Sequence, residues 1–183
     1  MNLDQAEAYF LNEINNLRQI ADFKNPWIFL CASAYIEYLS KLAAGRNSGG
    51  AGFKEFVREF MPVAYRDFVY KSGKDDLPEQ LYHVLRCGIV HSFSLIPDQT
   101  AIGFGGRPRS VILAHEGDHL GSVNAPPIDD ACSLNAYNFV DDLEYATRKL
   151  LDAARTDPGR ATKVTDWLAK HPPIMAIPSQ DGL

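Results

Sequence analysis

Two groups of residues in this 183-residue chain have types and spacing that suit chemistry. The first is Arg86 and His91, which are separated by four residues in the run LYHVLRCGIVHSF. A histidine exchanges protons near neutral pH, so it can deprotonate a 2′-hydroxyl or protonate a leaving oxygen. An arginine stays charged and can stabilise the negative charge that accumulates on a phosphate. The pair therefore suits cleavage of an RNA phosphodiester without a metal.

The second group is HEGDH, from His115 to His119, which matches the HExxH pattern of zinc hydrolases. On a helix, His115 and His119 would bind one metal ion, with Glu116 as general base and Glu144 as a third ligand. The intervening Gly-Asp pair disfavours a helix and is typical of a turn between two strand-like runs. We expect a turn with solvent-exposed histidines and no metal or other cofactor, and we keep the zinc hydrolase as an alternative.

The spacing of Arg86 and His91 does not decide whether the two side chains lie close together. In an α-helix, residues five apart lie about 140° apart around the axis. They would converge where Gly88 loosens the helix end, or across a symmetric dimer interface where two copies of one patch meet. The alternative is a surface arginine paired with a carboxylate and a histidine that stabilises the end of its helix.

Three further residues belong to the first candidate site. Glu37 lies in an otherwise apolar helix, where an unpaired carboxylate is costly. It either pairs with Arg86 or reaches solvent at the edge of the bundle. Tyr82 lies one turn before Arg86 and is a candidate for binding or orienting a substrate, and Cys87 directly follows Arg86.

Apolar residues recur every three or four positions over most of the chain, which predicts a helical bundle. The expected helices are 4–21, 26–44 with Asn25 as its cap, 53–61, 65–70, 78–91, a long helix capped by Asp129 or Asp130 and carrying Cys132, and 158–170. Two β-like runs, 100–104 and 110–114, flank the turn GGRPR and predict a hairpin, with a third short strand near 119–123. The fold class is therefore mostly all-α: an up-down bundle of about 5–6 helices with a small β-hairpin inserted before the last long helix. We expect one domain over residues 1–171 and an extended tail over 172–183.

The run LYHVLRCGIVHSF resembles the Arg-x4-His motif of the HEPN superfamily, the higher-eukaryote and prokaryote nucleotide-binding domains. Upstream, SAYIEYLSKLAAG resembles the second helix of these proteins and FKEFVREFMP the helix after it, so the resemblance covers residues 26–155. It implies a helical bundle, usually a homodimer. In many members it also implies metal-independent endoribonuclease activity in toxin–antitoxin, abortive-infection and CRISPR-linked defence systems.

By this resemblance, Arg86 and His91 are the catalytic pair at a dimer interface. The implied partners are RNA or a nucleotide, a second copy of the chain, and a cognate antitoxin or defence protein. Family members commonly carry a polar residue directly after the arginine, where this chain has Cys87. The alternative expectation is therefore a non-catalytic dimeric module that binds RNA, a nucleotide or another protein.

The net charge of −5 argues against tight, non-specific nucleic-acid binding. Seven acidic residues and no basic one lie from Glu116 to Glu144, so the rest of the chain carries −5 minus −7, or +2. From Arg46 to Lys74, six basic residues stand against three acidic ones. This balance is compatible with a selective or transient contact to RNA.

The three cysteines, Cys31, Cys87 and Cys132, lie far apart in apolar surroundings, which predicts core residues without disulfides. The N-terminal run MNLDQAEAYF lacks the basic and cleavage features of a signal peptide. The longest apolar run, 27–36, falls short of the roughly 20 residues that span a bilayer. These features predict a cytoplasmic protein with no membrane partner.

Overall fold

The computed structural model describes residues 1–24, 27–71, 76–89, 111–125 and 128–173. Within these ranges the chain folds into seven helices and a three-stranded sheet, which confirms the predicted fold class. The helices are α1 (Leu3–Asp22), α2 (Trp27–Ala44), α3 (Gly49–Phe60), α4 (Val63–Asp67), α5 (Leu77–Leu81, continued by a π-helical segment, Tyr82–Ile89), α6 (Ala136–Thr156) and α7 (Pro158–Lys170). The predicted cap of α2 at Asn25 and the predicted tail from residue 174 onward lie outside the described residues.

Helix α2 lies at the centre of the bundle, because it contacts α1, α3, the π-helical segment that follows α5, α6 and α7. Its sequence is apolar on most sides, as a helix surrounded by others requires. The helices around α2 each bury a row of apolar residues in a shared aromatic core. The largest fully buried rings of this core are Phe10, Phe29, Phe53, Phe56, Phe60, Tyr65 and Phe139. No helix in the described ranges is both long and apolar enough to cross a membrane.

The small sheet consists of β1 (Val111–Ala114), β2 (Gly121–Ala125) and β3 (Ile128–Asn135), in the order β1-β3-β2. Strand β1 pairs with β3 in parallel, and β2 pairs with β3 in antiparallel orientation. The third short strand expected near residue 119 corresponds to β2. The other half of the predicted hairpin, 100–104, lies outside the described residues, as does the GGRPR turn.

The predicted start of the long helix is wrong. Residues 128–135 form β3, and α6 begins at Ala136. Asn135 caps α6, because its side-chain oxygen accepts the backbone N–H groups of residues 137 and 138. Asp130 lies within β3 at a φ of 55°, and its carboxylate accepts the backbone N–H of Lys71 at 3.0 Å. Cys132 is buried in β3 rather than on a helix, because neighbouring strands on both sides satisfy the backbone there.

Candidate functional site

Helix α5 changes its winding where it carries the first candidate site. It begins at Asp76, whose side chain caps the backbone N–H of Glu79, and it turns π-helical from Tyr82 to Ile89. A π-helical stretch pairs residue i with i+5, is rare, and is found frequently at functional sites. Arg86 lies within this segment. His91, the predicted general acid and base, lies outside the described residues.

Arg86 forms an ion pair with Glu37 of the central helix α2. The Arg86 Nε contacts Glu37 Oε2, and Lys41 Nζ lies 2.7 Å from Glu37 Oε1. All three side chains are at most one-quarter exposed. Burial by itself would raise the pKa of Glu37, but the hydrogen bonds from Lys41 and Arg86 outweigh it and hold this pKa below its usual value. Of the two alternatives for Glu37, the structure contains the pair with Arg86.

Tyr82 packs into a space that a glycine leaves open. A Cβ atom added to Gly50 would lie 2.5 Å from the Cζ atom of the Tyr82 ring, so only glycine permits this contact. The ring also lies 5.6 Å from the ring of Phe53, edge to face. Burial raises the pKa of Tyr82, and the charge and hydrogen bond of Cys87 raise it further. Tyr82 and Cys87 therefore interact on the segment that carries Arg86.

The arrangement brings two cations, Arg86 and Lys41, to one carboxylate, Glu37. The three side chains together carry one net positive charge in a partly buried position. Such a group can stabilise an anion, because charges interact more strongly where water is partly excluded. The described residues hold no group of three or more His, Cys, Asp or Glu that could bind a metal ion.

The HEGDH run forms bends between β1 and β2 and not a helix, so the predicted turn is confirmed. The prediction that its histidines are solvent-exposed is wrong, because His115 is only partly exposed and the His119 side chain is 13% exposed. Its Nδ1 accepts the backbone N–H of Asn135 at 3.1 Å, and its Nε2 lies 2.8 Å from Asp142 Oδ2. Since Nδ1 accepts, the proton of a neutral ring sits on Nε2 and is donated to Asp142.

Tyr65 completes this group, which we call the Tyr65–His119–Asp142 cluster. The Tyr65 hydroxyl donates to Asp142 Oδ2 at 2.8 Å and lies 3.1 Å from His119 Nε2. Tyr65 is fully buried, and burial together with the charge of Asp142 raises its pKa well above the usual value. Both nitrogens of His119 thus bond within the protein. The cluster ties the loop between β1 and β2 to α4 and α6.

The proposed zinc ligands do not meet. Glu144 forms ion pairs with Arg18 and Arg148, at 2.5 and 2.8 Å, and Glu116 pairs with Lys24 at 2.5 Å. His119 instead contacts Asp142, which sequence reasoning did not select. Nothing local in the sequence marks this contact, since its members are 23 residues apart and Tyr65 is 77 residues from Asp142. The zinc hydrolase has no support in this geometry.

Fewer cations between Arg46 and Lys74 are free to bind a phosphate than the composition of this run indicates. Three of its cations are engaged with carboxylates at 2.8 to 3.0 Å: Lys54 with Glu79, Arg58 with Asp76 and Arg66 with Asp67. The acidic stretch after β1 is likewise largely bonded within the fold. The surface charge near α3 is therefore closer to balanced than the sequence suggests.

Comparison with known proteins adds no assignment: no protein-family model, no curated protein and no solved structure matches this chain.

Proposed function

We propose that this chain is a HEPN-like endoribonuclease that cleaves RNA without a metal, using Arg86 and His91 at a homodimer interface. The natural setting of such an activity is a toxin–antitoxin or defence system, with a cognate protein that restrains it. The proposal takes the motif and its resemblance from the sequence, and it takes support from the surroundings of Arg86.

The observation that carries the proposal is the π-helical winding of residues Tyr82–Ile89 around Arg86. In an α-helix, two residues five apart point about 140° apart. A π-helix closes its hydrogen bonds between residues five apart, so such residues lie about one turn from each other. The Arg-x4-His spacing thus equals the hydrogen-bond spacing of the π-helical segment that carries Arg86 and is described as far as Ile89, whereas it does not match regular α-helix.

The ion pair with Glu37 supports the role of Arg86. A guanidinium held by a carboxylate from another helix keeps one orientation, and this lowers the entropic cost of placing it against a phosphate. Lys41 shares the same carboxylate, so Glu37 does not cancel the positive charge of the site. A net positive charge is what a phosphate needs as it gains negative charge in the transition state.

In the proposed reaction, His91 removes the proton from a ribose 2′-hydroxyl, and the 2′-oxygen attacks the adjacent phosphorus. The bond from phosphorus to the 5′-oxygen breaks, and the leaving oxygen takes up a proton from an imidazolium, of this histidine or of its copy in a dimer. Arg86 stabilises the pentacoordinate phosphate. The products are a 2′,3′-cyclic phosphate and a 5′-hydroxyl, so the step consumes no water and no metal ion.

The test is cleavage of a mixed-sequence RNA by the full chain in EDTA, with products identified by mass spectrometry. We expect cyclic-phosphate ends from the wild type, and a loss of at least about 100-fold in rate from His91→Ala and from Arg86→Ala. Arg66→Ala is the matched control, since it removes an exposed arginine that pairs with Asp67. Cleavage that requires a divalent metal, or that persists in His91→Ala, would refute the proposal.

A second candidate, a non-catalytic dimeric module that binds RNA or a nucleotide, is favoured by one observation. Cys87 stands where the family commonly has a polar residue, and it interacts with Tyr82 beside it. The same experiment separates the two functions. A folded dimer, verified by light scattering, that binds RNA through Arg86 and produces no cyclic-phosphate ends would establish the second.

A further inference from the structure

A cleft of about 430 Å³ opens between the C-terminal end of α2, one side of α3 and the first turns of α7. Its volume lies in the range of small-molecule sites. Its lining includes none of Glu37, Lys41, Tyr82, Arg86 or Cys87. The cleft is therefore a separate feature of the fold.

Three cations line this cleft, and two of them have no carboxylate partner among the described residues. Arg160 is engaged, because it lies 2.8 Å from Glu59 and its guanidinium carbon lies 5.1 Å from the ring centre of Phe60. Arg46 and Lys163 make no ion pair with any residue in the described ranges. A helix C-terminus attracts one cation through its dipole, but it does not require two at the same opening.

The position of Lys163 is fixed by close packing. Gly45 ends α2 with a φ of 66°, a conformation that favours glycine. A Cβ atom at this position would lie 2.9 Å from the Cβ of Lys163, so the turn and the lysine stem touch. The ammonium group of Lys163 therefore extends from a fixed point beside Arg46, and both positive charges face one opening.

The inner wall near Gly52 carries one hydroxyl group. Ser40 is 2% exposed and lines the cleft, and its hydroxyl donates to the carbonyl of Glu37 at 2.8 Å. The Ser40 oxygen can still accept a hydrogen bond from a bound molecule. The two cations that make no ion pair within the described ranges, Arg46 and Lys163, favour an anion at this opening.

The rest of the cleft suits the organic part of a ligand. Phe56 and Phe60, each 2% exposed, contribute to its apolar lining together with Ala43 and Ala44. Glu55 lines it as well, with no cation partner among the described residues, so it can accept a hydrogen bond from a hydroxyl or an amine. An inorganic ion would leave this half of the cleft unused.

We propose that this cleft binds a small hydroxylated organic phosphate, of the size of a sugar phosphate. Arg46 and Lys163 hold the phosphate, and the hydroxyl groups of the organic part face Glu55. The inference is independent of the Arg86 site, because the two share no residue.

The test is calorimetric titration of the full chain with ribose 5-phosphate and glucose 6-phosphate, and with ribose and inorganic phosphate as separate arms. We expect at least one sugar phosphate to bind with a submillimolar dissociation constant, and more tightly than ribose or inorganic phosphate alone. The double variant Arg46→Gln/Lys163→Gln should weaken this binding by at least about tenfold, the loss expected from a missing charge-assisted bond.

Lys170→Gln is the matched control, because Lys170 is an exposed lysine two turns further along α7 that does not line the cleft. It should change the affinity by less than about twofold. Since Arg46 and Lys163 are exposed and form no ion pair within the described part of the chain, the double variant should keep the far-ultraviolet circular dichroism of the wild type. The proposal is overturned if no sugar phosphate binds, if inorganic phosphate binds as tightly, or if the double variant binds like the wild type.

Discussion

Replacing Asp142 by alanine tests whether the Tyr65–His119–Asp142 cluster holds the loop after β1 to the bundle. Asp142 Oδ2 lies 2.8 Å from the Tyr65 hydroxyl and 2.8 Å from His119 Nε2. Tyr65 is fully buried and the His119 side chain is 13% exposed, so water reaches these donors poorly. A buried donor left without a partner costs about 1–3 kcal/mol. Because Asp142→Ala removes the shared acceptor of two such donors, it should lower the free energy of unfolding by about 2–6 kcal/mol.

The neighbouring residue provides the control. Asp141 is 62% exposed on the same helix, and it forms a surface ion pair with Arg18 at 2.8 Å. Because exposed pairs contribute little, Asp141→Ala should cost less than about 1 kcal/mol. Both substitutions replace aspartate by alanine in α6, so the change in helix propensity is similar in the two variants.

Urea unfolding monitored by circular dichroism measures both variants, with an unchanged m-value as the sign of unchanged compactness. A loss of about 2–6 kcal/mol is a large share of the stability of a small domain. Tyr65→Phe is therefore included as a milder variant that keeps the ring and removes one hydrogen bond. It should cost about 1–2 kcal/mol. Equal losses for Asp142→Ala and Asp141→Ala would show that the cluster does not stabilise the fold.

Three further predictions follow from single contacts. The pKa of Glu37 is lower in the folded protein than in the unfolded chain, where it is about 4.3. The ion pairs of Glu37 therefore stabilise the protein fully at a pH above about 4.3, and this stabilisation is lost as the pH falls through the pKa of the folded state. The difference in melting temperature between wild type and Glu37→Gln should accordingly shrink in acid, and a difference independent of pH would contradict this. Gly45→Ala should destabilise more than Gly117→Ala by about 1 kcal/mol in urea unfolding. Both glycines have positive φ, but only at Gly45 would a Cβ meet another side chain, that of Lys163. Burial raises the pKa of Cys132 to about 12, so iodoacetamide should label it only after unfolding, and prompt labelling of native Cys132 in a peptide map would refute this.

Most of the helices could be predicted from the sequence, because apolar residues recur at helical spacing and capping residues mark several of the ends. Helix α7, for example, begins where Asp157 and Pro158 predict it, with the Asp157 side chain accepting the backbone N–H groups of residues 159 and 160. The start of α6 could not be predicted in the same way. The spacing of Cys132, Ala136 and Phe139 continues the helical pattern backwards through a strand. A short strand that is buried on both faces has no periodicity of its own, so tertiary pairing with β1 and β2 decides its conformation.

In the candidate sites, too, the sequence indicates some features and carries no signal for others. A carboxylate in an apolar helix needs either a cation or solvent, so the residue types at positions 37 and 86 leave the ion pair as one of two alternatives. The π-helical winding at Arg86 leaves no mark in the hydrophobic pattern, since the buried residues Leu81, Val84 and Leu85 also fit an α-helix. The cluster at His119 depends on contacts between distant segments. A single sequence carries no signal for such contacts. The HExxH pattern predicted Glu144, and not Asp142, as the partner of His119.

The pairing of charges sets the kind of RNA contact that the proposed function allows. Lys54, Arg58 and Arg66 are already bonded to carboxylates near α3, so each would have to give up a partner before it neutralised a phosphate. The Arg86 site itself contributes one net positive charge, since Arg86 and Lys41 share Glu37. For a single strand, each neutralised phosphate contributes about −0.7 to the slope of log affinity against log salt. Under the proposed function, a site of this composition would therefore show a shallow salt dependence of its affinity for RNA. Selectivity for a substrate would then come from the shape of that substrate and the placement of Arg86 rather than from long-range attraction.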